Sequence, residues 1–369
     1  MSLKLENPFP KLVHAAEDKA KDVANGVKHA VGQAENKVQG AIQAVKNNET
    51  VQEVKNFVGA TADSFERAVG LKEKGNEPAI LSGQQGTWTP SKGALYVEGP
   101  TTGDVQQGAA GDCYFLSSVA SLAQNHPDAI KNAIKDNGNG TYTVTFHVPE
   151  GFGALKALGP TGGLLEGTVL GAAKKIGLNL PEKTVQVTVD DKQPTDANGN
   201  PLYVHSGDAN EKWVGVMEKA YAQLWGSYGA IGNGGDPGTA MRALTGGDVQ
   251  HHVLGSPLAG VGVKVGEVNV TPEKANAVFQ DLKAATESQK MVVASTYNVS
   301  TGKTLDGVVS GHCYSVLGTS EENGQKYVTL RNPWGHHEPG SDGNDDGIFK
   351  LPVEQFIQSY ASYDVGSVK

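Results

Sequence analysis

An α+β protein, with helices gathered toward its first half and strands toward its second, is what this sequence predicts. Three observations carry that reading. An apolar run opens at Cys113 and continues through Tyr114, Phe115, Leu116, Val119 and Leu122 until Asn125-His126-Pro127 stops it, which is the length and spacing of one helix. Strict alternation at Tyr142, Val144, Phe146 and Val148, after the turn Asn137-Gly138-Asn139-Gly140, marks a half-buried strand. Farther on, His312 to Val316 and Lys326 to Arg331 flank Glu322-Asn323-Gly324 as the arms of a hairpin.

Taken in order, residues 1–75 stand apart in composition. They hold 11 basic and 10 acidic residues, leaving 20 and 30 to the remainder, and contain no Trp, Tyr or Cys. Val23, Val27, Val31, Ala34, Val38, Ile42 and Val45 recur at helical spacing, and Val51, Val54, Val58, Phe65 and Val69 resume it after Asn47-Asn48-Glu49-Thr50. Gly26, Gly32 and Gly40 each weaken the first helix by about 1 kcal/mol relative to Ala. The pair is marginal and needs a surface to pack against. Residues 76–92, rich in Gly, Pro, Gln and Ser, read as a linker. A helical subdomain is expected over 93–231, with a second short helix after Pro127 and a Gly-rich stretch at about 150–182 serving as a lid or a disordered loop. A strand-rich subdomain is expected over 232–369. In it Thr271-Pro272 starts a helix, with Pro at its first position, and Met291-Val292-Val293-Ala294 reads as a buried strand.

The bulk properties set limits. A chain of 369 residues can bury a sizeable core, and a net charge of −9 argues against nucleic acid as a partner. With only two Cys, a disulfide framework is not expected. No secretory apolar region is visible in residues 1–31, and no 18-residue apolar stretch offers a membrane span. The expected compartment is the cytoplasm, with export by a route lacking a cleaved signal left open.

The chemistry concentrates in three separated passages. Gln107-Gly108-Ala109-Ala110-Gly111-Asp112-Cys113 comes first, Gly311-His312-Cys313-Tyr314 second, and Arg331-Asn332-Pro333-Trp334-Gly335 third. A Cys in the first turn of a helix sees the positive end of the helix dipole, and a nearby His lowers its pKa further. Asp112 is a suitable N-cap for that helix. Cys, then His, then Asn is the order of papain-like thiol proteases, in which a thiolate attacks and Asn orients the imidazole. Gln107 can return over a Gly-flexed turn to form an oxyanion hole with the Cys113 N–H. For an isolated Cys, burial in a core would be the ordinary explanation. Three ordered partners reverse it.

These residues resemble the calpain family of cysteine proteases. The likeness continues through Val204-His205-Ser206, Asn210-Glu211-Lys212-Trp213, Met217-Glu218-Lys219-Ala220-Tyr221, Gly226-Ser227-Tyr228, Thr245-Gly246-Gly247 and Gly347-Ile348-Phe349-Lys350-Leu351. It covers about residues 85–369 and leaves the N-terminal 80 or so uncovered. It implies a papain-like two-subdomain core with an N-terminal helical extension and without the family's C-terminal modules. It also implies a cysteine endopeptidase acting on protein substrates, with Cys113 as nucleophile, His312 as base and then acid, Asn332 as orienter and Gln107 as oxyanion donor. Trp334 would shelter the His–Asn bond from water. The helices of residues 1–75 would be a pro-segment or regulatory arm, removed by self-cleavage between Lys72 and Ser91 or docked on the core, a partner or a membrane surface.

The resemblance further implies Ca²⁺ as cofactor. One site would use the carbonyls of Val97 and Gly99 with the carboxylates of Asp104 and Glu211, a hard-oxygen set. A second would use Glu338 and Asp345, with Asp346 as a later acidic ligand, although Ile348 stands where the family has another acid. A solvated Gly-rich turn is the competing reading of Asp342, Asp345 and Asp346. Cys313 is expected to turn away from His312 into the core, since adjacent strand residues point to opposite faces. His251, His252, His336 and His337 read as solvated loop residues. The rival functions are another Cys–His acyl-transfer enzyme such as a transglutaminase, a calcium-independent protease, and an idle binding module on the same fold.

Overall fold

The computed structural model describes residues 77–149, 182–255, 268–298, 307–340 and 343–369. The N-terminal helix pair, the 150–182 stretch apart from Glu182, and Asp342 lie outside the described residues. The described residues all belong to one compact unit, Asn56–Lys369.

Helix α1 (Cys113–Asn125) is the centre of the first core, and its residues through Ala123 are buried. Helix α2 (Pro127–Ala133) follows at once, with Pro127 at its first turn. Strands β2 (Ile134–Asp136), β3 (Thr141–Pro149) and β4 (Glu182–Asp190) form an antiparallel sheet in chain order. On β3 burial alternates as the sequence does, with Tyr142, Val144, Phe146 and Val148 inside. Helix α3 (Trp213–Trp225) ends at Gly226, whose φ of 113° only glycine adopts readily. Tyr221 of α3 stacks on Phe115 of α1, centroids 3.9 Å apart and 6° from parallel. Helices α4 (Tyr228–Ile231) and α5 (Pro237–Thr245) complete this side.

The second core lies around a six-stranded antiparallel sheet. Strands β6 (Val249–Val253), β7 (Met291–Thr296), β8 (Cys313–Glu322), β9 (Gln325–Arg331), β10 (Ile348–Pro352) and β11 (Tyr360–Gly366) stand in the order β10-β9-β8-β7-β11-β6. The β8–β9 hairpin closes through Asn323 and Gly324, with φ of 51° and 82°. Positive φ at both turn residues matches the right-handed strand twist. Helix α6 (Pro272–Glu287) is capped by Thr271, whose hydroxyl accepts the N–H of Lys274, and α7 (Val353–Ser359) links β10 to β11. Among the described residues no helix is long and apolar enough to cross a membrane.

Three expectations require correction. The first core continues past residue 231, because Ala240, Met241, Ala243 and Leu244 of α5 belong to it. The stretch read as a linker is anchored from Glu77 onward. Leu81 is buried and donates its N–H to the Tyr203 hydroxyl at 2.7 Å, while β1 (Thr87–Pro90) pairs with β5 (Lys192–Thr195). Lys219, 2% exposed, bonds Asp190 Oδ1 at 2.5 Å and Glu77, and its ammonium stands 4.6 Å from the Trp88 ring centroid. An average over Gly, Pro, Gln and Ser hides these few anchors. His251 and His252 lie on β6, where His251 meets the buried Asp364 at 2.9 Å and His252 stacks on Tyr363 at 4.6 Å.

Lys219→Ala should destabilise the core by about 3 kcal/mol, because it leaves two carboxylates facing a cavity. Urea unfolding of the variant checks this. An unchanged midpoint would mean that solvent already screens Glu77 and Asp190.

Candidate active site

A polar stripe on α1 builds the site. Cys113, Ser117 and Ser121 lie four residues apart and so share one face of an otherwise apolar helix. Ser117 Oγ donates to the Cys313 carbonyl at 2.9 Å, and Ser315 Oγ donates back to the Ser117 carbonyl at 2.9 Å. Ser121 Oγ accepts the Val292 N–H at 2.9 Å. These bonds seat the helix on β7 and β8 and carry Cys113 to the start of β8.

His312 occupies the residue before β8. Its N–H donates to Thr296 Oγ1 at 2.9 Å, and its carbonyl accepts the Thr296 N–H at 2.9 Å. The ring Nε2 meets Asn332 Oδ1 at 2.8 Å, and Asn332 is fully buried. Asn332 is itself held: its Nδ2 donates to the His337 carbonyl at 3.0 Å, and its Oδ1 also accepts the Trp334 N–H at 3.1 Å. The Trp334 ring covers the imidazole at 4.9 Å, and Tyr314 stands edge-on at 5.0 Å. With Nε2 bonded to Asn332, Nδ1 is the ring nitrogen left for Cys113.

The Cys113 thiol is held well below its ordinary pKa. The largest cause is a hydrogen bond from the Cys313 thiol, followed by the His312 charge and hydrogen bond and the Cys313 N–H, against desolvation. Cys313 is buried as expected, in the core that α1 builds, while the His312 ring packs on Tyr314, whose side chain belongs to the other core. Alternation along β8 thus puts Cys313 on the face opposite His312, and the core it enters is the one that also holds Cys113.

Comparison with known proteins identifies the family. The sequence pattern of the calpain family cysteine proteases matches residues 83–150 and 177–347. The chain belongs to the calpain family. It is 30% identical over 263 residues to the calpain-type cysteine protease ADL1 of Oryza sativa subsp. japonica, covering 69% of this chain and 10% of that protein. It is 30% identical over 296 residues to calpain-8 of Rattus norvegicus and 28% over 290 to calpain-A of Drosophila melanogaster, covering 73% of this chain in each case. It spans 36% and 29% of those two proteins, so it matches only part of the length of each relative.

The motif of this calpain core names Gln107 and Asp112, but the direction in which each side chain turns is not legible in it. Gln107 lies beside the N-terminus of α1, and its N–H donates to the Pro333 carbonyl at 2.9 Å. Its side-chain amide, however, is turned inward. Nε2 donates to the Ala110 carbonyl at 2.6 Å and to Asp112 Oδ1 at 3.3 Å, while Oε1 is buried without a partner. Asp112 makes no side-chain cap on α1. Its carboxyl meets that of Glu218, which accepts the Val204 N–H at 3.1 Å. Both acids are fully buried, and burial raises Asp112 well above the carboxylate range and Glu218 to about 8. Burial, with the neighbouring Glu218 charge, favours the protonated form of Asp112 behind the oxyanion loop. A glutamate on the helical face of α3 that stays buried is the sequence signal that could have revealed this.

The proposed calcium ligands divide. Asp104 and Glu211 are both buried and come together. Asp104 Oδ2 accepts the Thr101 N–H at 2.7 Å and the Trp213 Nε1–H at 3.1 Å, while Glu211 Oε1 accepts the Val97 N–H at 2.8 Å. Burial and the neighbouring Asp104 charge raise the Glu211 pKa. Two facing carboxyls with hard oxygen donors fit a cation such as calcium. Gly99 lies on the same loop, close to the Lys131 ammonium. The second set is engaged in its own turn: Asp345 accepts the His337 N–H, beside Glu338, and Asp346 accepts the Ile348 N–H near the Arg331 charge. Among the described residues no three His, Cys, Asp or Glu side chains gather as metal ligands.

A folded-state pKa raised above its unfolded value stabilises the fold below the unfolded pKa and loses that stabilisation as pH rises through the folded value. The Asp112–Glu218 pair should therefore make stability fall between about pH 5 and about pH 8, by up to ~1.4 kcal/mol per pH unit for each proton released. Denaturant titrations across that range should show Glu218→Gln with the flatter profile. Parallel profiles would mean that the pair is ionised in the fold.

Proposed function

We propose that this calpain-family chain is a cysteine endopeptidase acting on protein substrates. The observation that carries the reading is the bond from His312 Nε2 to Asn332 Oδ1, at 2.8 Å, which leaves the other ring nitrogen for the Cys113 thiol. Cys113 attacks the scissile carbonyl as the thiolate. His312 gives its proton to the leaving amine, then takes one from the water that hydrolyses the thioester. Asn332 fixes the ring plane, and Trp334 keeps water from the His–Asn bond. The developing oxyanion is taken by the Cys113 N–H and by Gln107 Nε2, which must first leave the Ala110 carbonyl. Asn332 as the third member favours this over a transglutaminase-like acyl transfer, for which an Asp would be expected.

We read the activity as calcium-dependent. Asp104 and Glu211, with the carbonyls of Val97 and Gly99, would hold the ion, and Glu338 and Asp345 a second. Bound calcium would neutralise the facing carboxyls and fix the loop that leads to α1. We further read residues 1–75 as a removable arm. Because residues from Glu77 onward are paired into the core, self-cleavage is expected on the N-terminal side of Glu77, in the first part of the Lys72–Ser91 window.

Cys113→Ala should fold normally and leave casein intact, while Gln107→Ala should lower kcat by about 10²–10³-fold with alkylation of Cys113 preserved. Casein cleavage by the Cys113→Ala protein would sink the assignment. In a second assay, chelator should suppress casein cleavage and calcium restore it, with the response blunted in the Asp104→Ala/Glu211→Ala double variant. The same incubation should yield a new N-terminus before Glu77. Turnover unchanged in excess chelator would indicate a calcium-independent protease, and an intact Met1 in active, aged protein would count against the arm.

A further inference from the structure

The chain has two cysteines, both free and buried in the same core. Ser117, one turn after Cys113 on the same face of α1, bonds the Cys313 carbonyl at 2.9 Å. The bond from Ser315 to the Ser117 carbonyl locks the same helix turn to the same strand. Cys313 Sγ also lies 3.4 Å from Ser295 Oγ, so its thiol is held between β7 and α1 rather than free to rotate away. Peptide hydrolysis makes no use of a second thiol at this point.

We propose that Cys113 and Cys313 are a site of reversible oxidative modification, in which a hydroperoxide oxidises Cys113 and Cys313 resolves the product as an intramolecular disulfide. The proposal rests on the reading of Cys113 as the reactive thiolate. In the first step the Cys113 sulfur attacks the O–O bond of the peroxide. One oxygen stays on sulfur as the sulfenic acid, and the other leaves as water or alcohol after taking a proton, with His312 as the adjacent donor. In the second step the Cys313 sulfur attacks the Cys113 sulfur and the S–O bond breaks. The hydroxyl leaves with the Cys313 proton as water. The two thiols lose two electrons in total and the peroxide gains them.

The two thiols are suited to different parts of this sequence. Cys113 and Cys313 are similarly buried, at 8% and 7% exposure, so charge distinguishes them, and the Cys113 thiolate is the species that reacts. Cys313 is kept protonated by its bond to Cys113 and by burial, so it is protected from direct oxidation and waits beside the product. The disulfide removes the nucleophile from catalysis. It also halts the ladder before the sulfinic acid, which thiols do not reverse.

The test treats the full chain and its Cys313→Ala and Cys113→Ala variants with a slight excess of hydrogen peroxide. Intact mass, alkylatable thiols in denaturant, and casein cleavage before and after dithiothreitol are then measured. The wild-type monomer should lose about 2 Da and both thiols, and dithiothreitol should return its activity. Cys313→Ala should gain about 32 Da without recovery, and Cys113→Ala should keep its one thiol. A wild type that gains oxygen while Cys313 remains alkylatable, or that forms only disulfide-linked dimers, would overturn the proposal. Mass and thiol counts decide it even if no casein is cleaved. A disulfide that leaves casein cleavage intact would instead refute Cys113 as the nucleophile.

Discussion

The seat of α1 on the sheet is the constraint on which the site depends. A helix that carries a thiol and a strand pair that carries an imidazole belong to different cores, and hydrophobic burial alone does not set their register. The serine hydroxyls of residues 117, 121 and 315 do so, because each buried hydroxyl or carbonyl left unpaired would cost about 1–3 kcal/mol. A rotation of α1 by one residue would break all three bonds together. Two contacts reinforce the seat from the flank: the Arg331 guanidinium donates to the Val105 carbonyl at 2.9 Å, and the Gln107 N–H to the Pro333 carbonyl at 2.9 Å. The oxyanion loop and the Asn332 loop are thereby fastened to each other.

Burial of charge recurs around this seat, and each instance tightens a loop that the chemistry needs. Asp112 and Glu218 are buried as neighbours beneath the oxyanion loop. Asp104 and Glu211 face each other beneath the loop ahead of it. The second pair has the donor chemistry of a cation site, whereas the first is enclosed among Gln107, Val204 and α3. Similar like-charge contacts therefore serve different ends, according to whether neighbouring carbonyls can complete a shell. Glycine makes the closeness possible. A Cβ on Gly108 would fall 2.4 Å from the Tyr203 carbonyl oxygen, so the loop could not approach the backbone of Leu202 and Tyr203 with any larger residue.

Much of this architecture is legible in the order and spacing of residues. Cys113, His312 and Asn332 in that order name the constellation, and the helix from Cys113, the strand at 141–149 and the hairpin turning at Asn323-Gly324 all lie where periodicity and turn chemistry put them. These are local signals, since 3.6-residue and two-residue periods and positive-φ turn residues are written in consecutive residues. The stretch after Glu77 has the composition of a linker because its anchors are few, and Leu81, Trp88 and Glu77 find partners more than a hundred residues away. For Cys313, strand alternation gives the buried face, but that the same core holds Cys113 is not written in consecutive residues.

By itself, then, the sequence determined the family, the α+β class and which residue types meet for chemistry, because motif order and periodicity survive without coordinates. Only the tertiary structure decided which way each side chain turns. It showed Gln107 folded onto Asp112 rather than toward the oxyanion position, Asp112 facing Glu218 rather than capping α1, and Cys313 entering the same core as Cys113. The physical reason is common to all three. A buried polar group takes whichever partner lies nearest in space, and spatial neighbours come from packing two cores together, which no local pattern encodes.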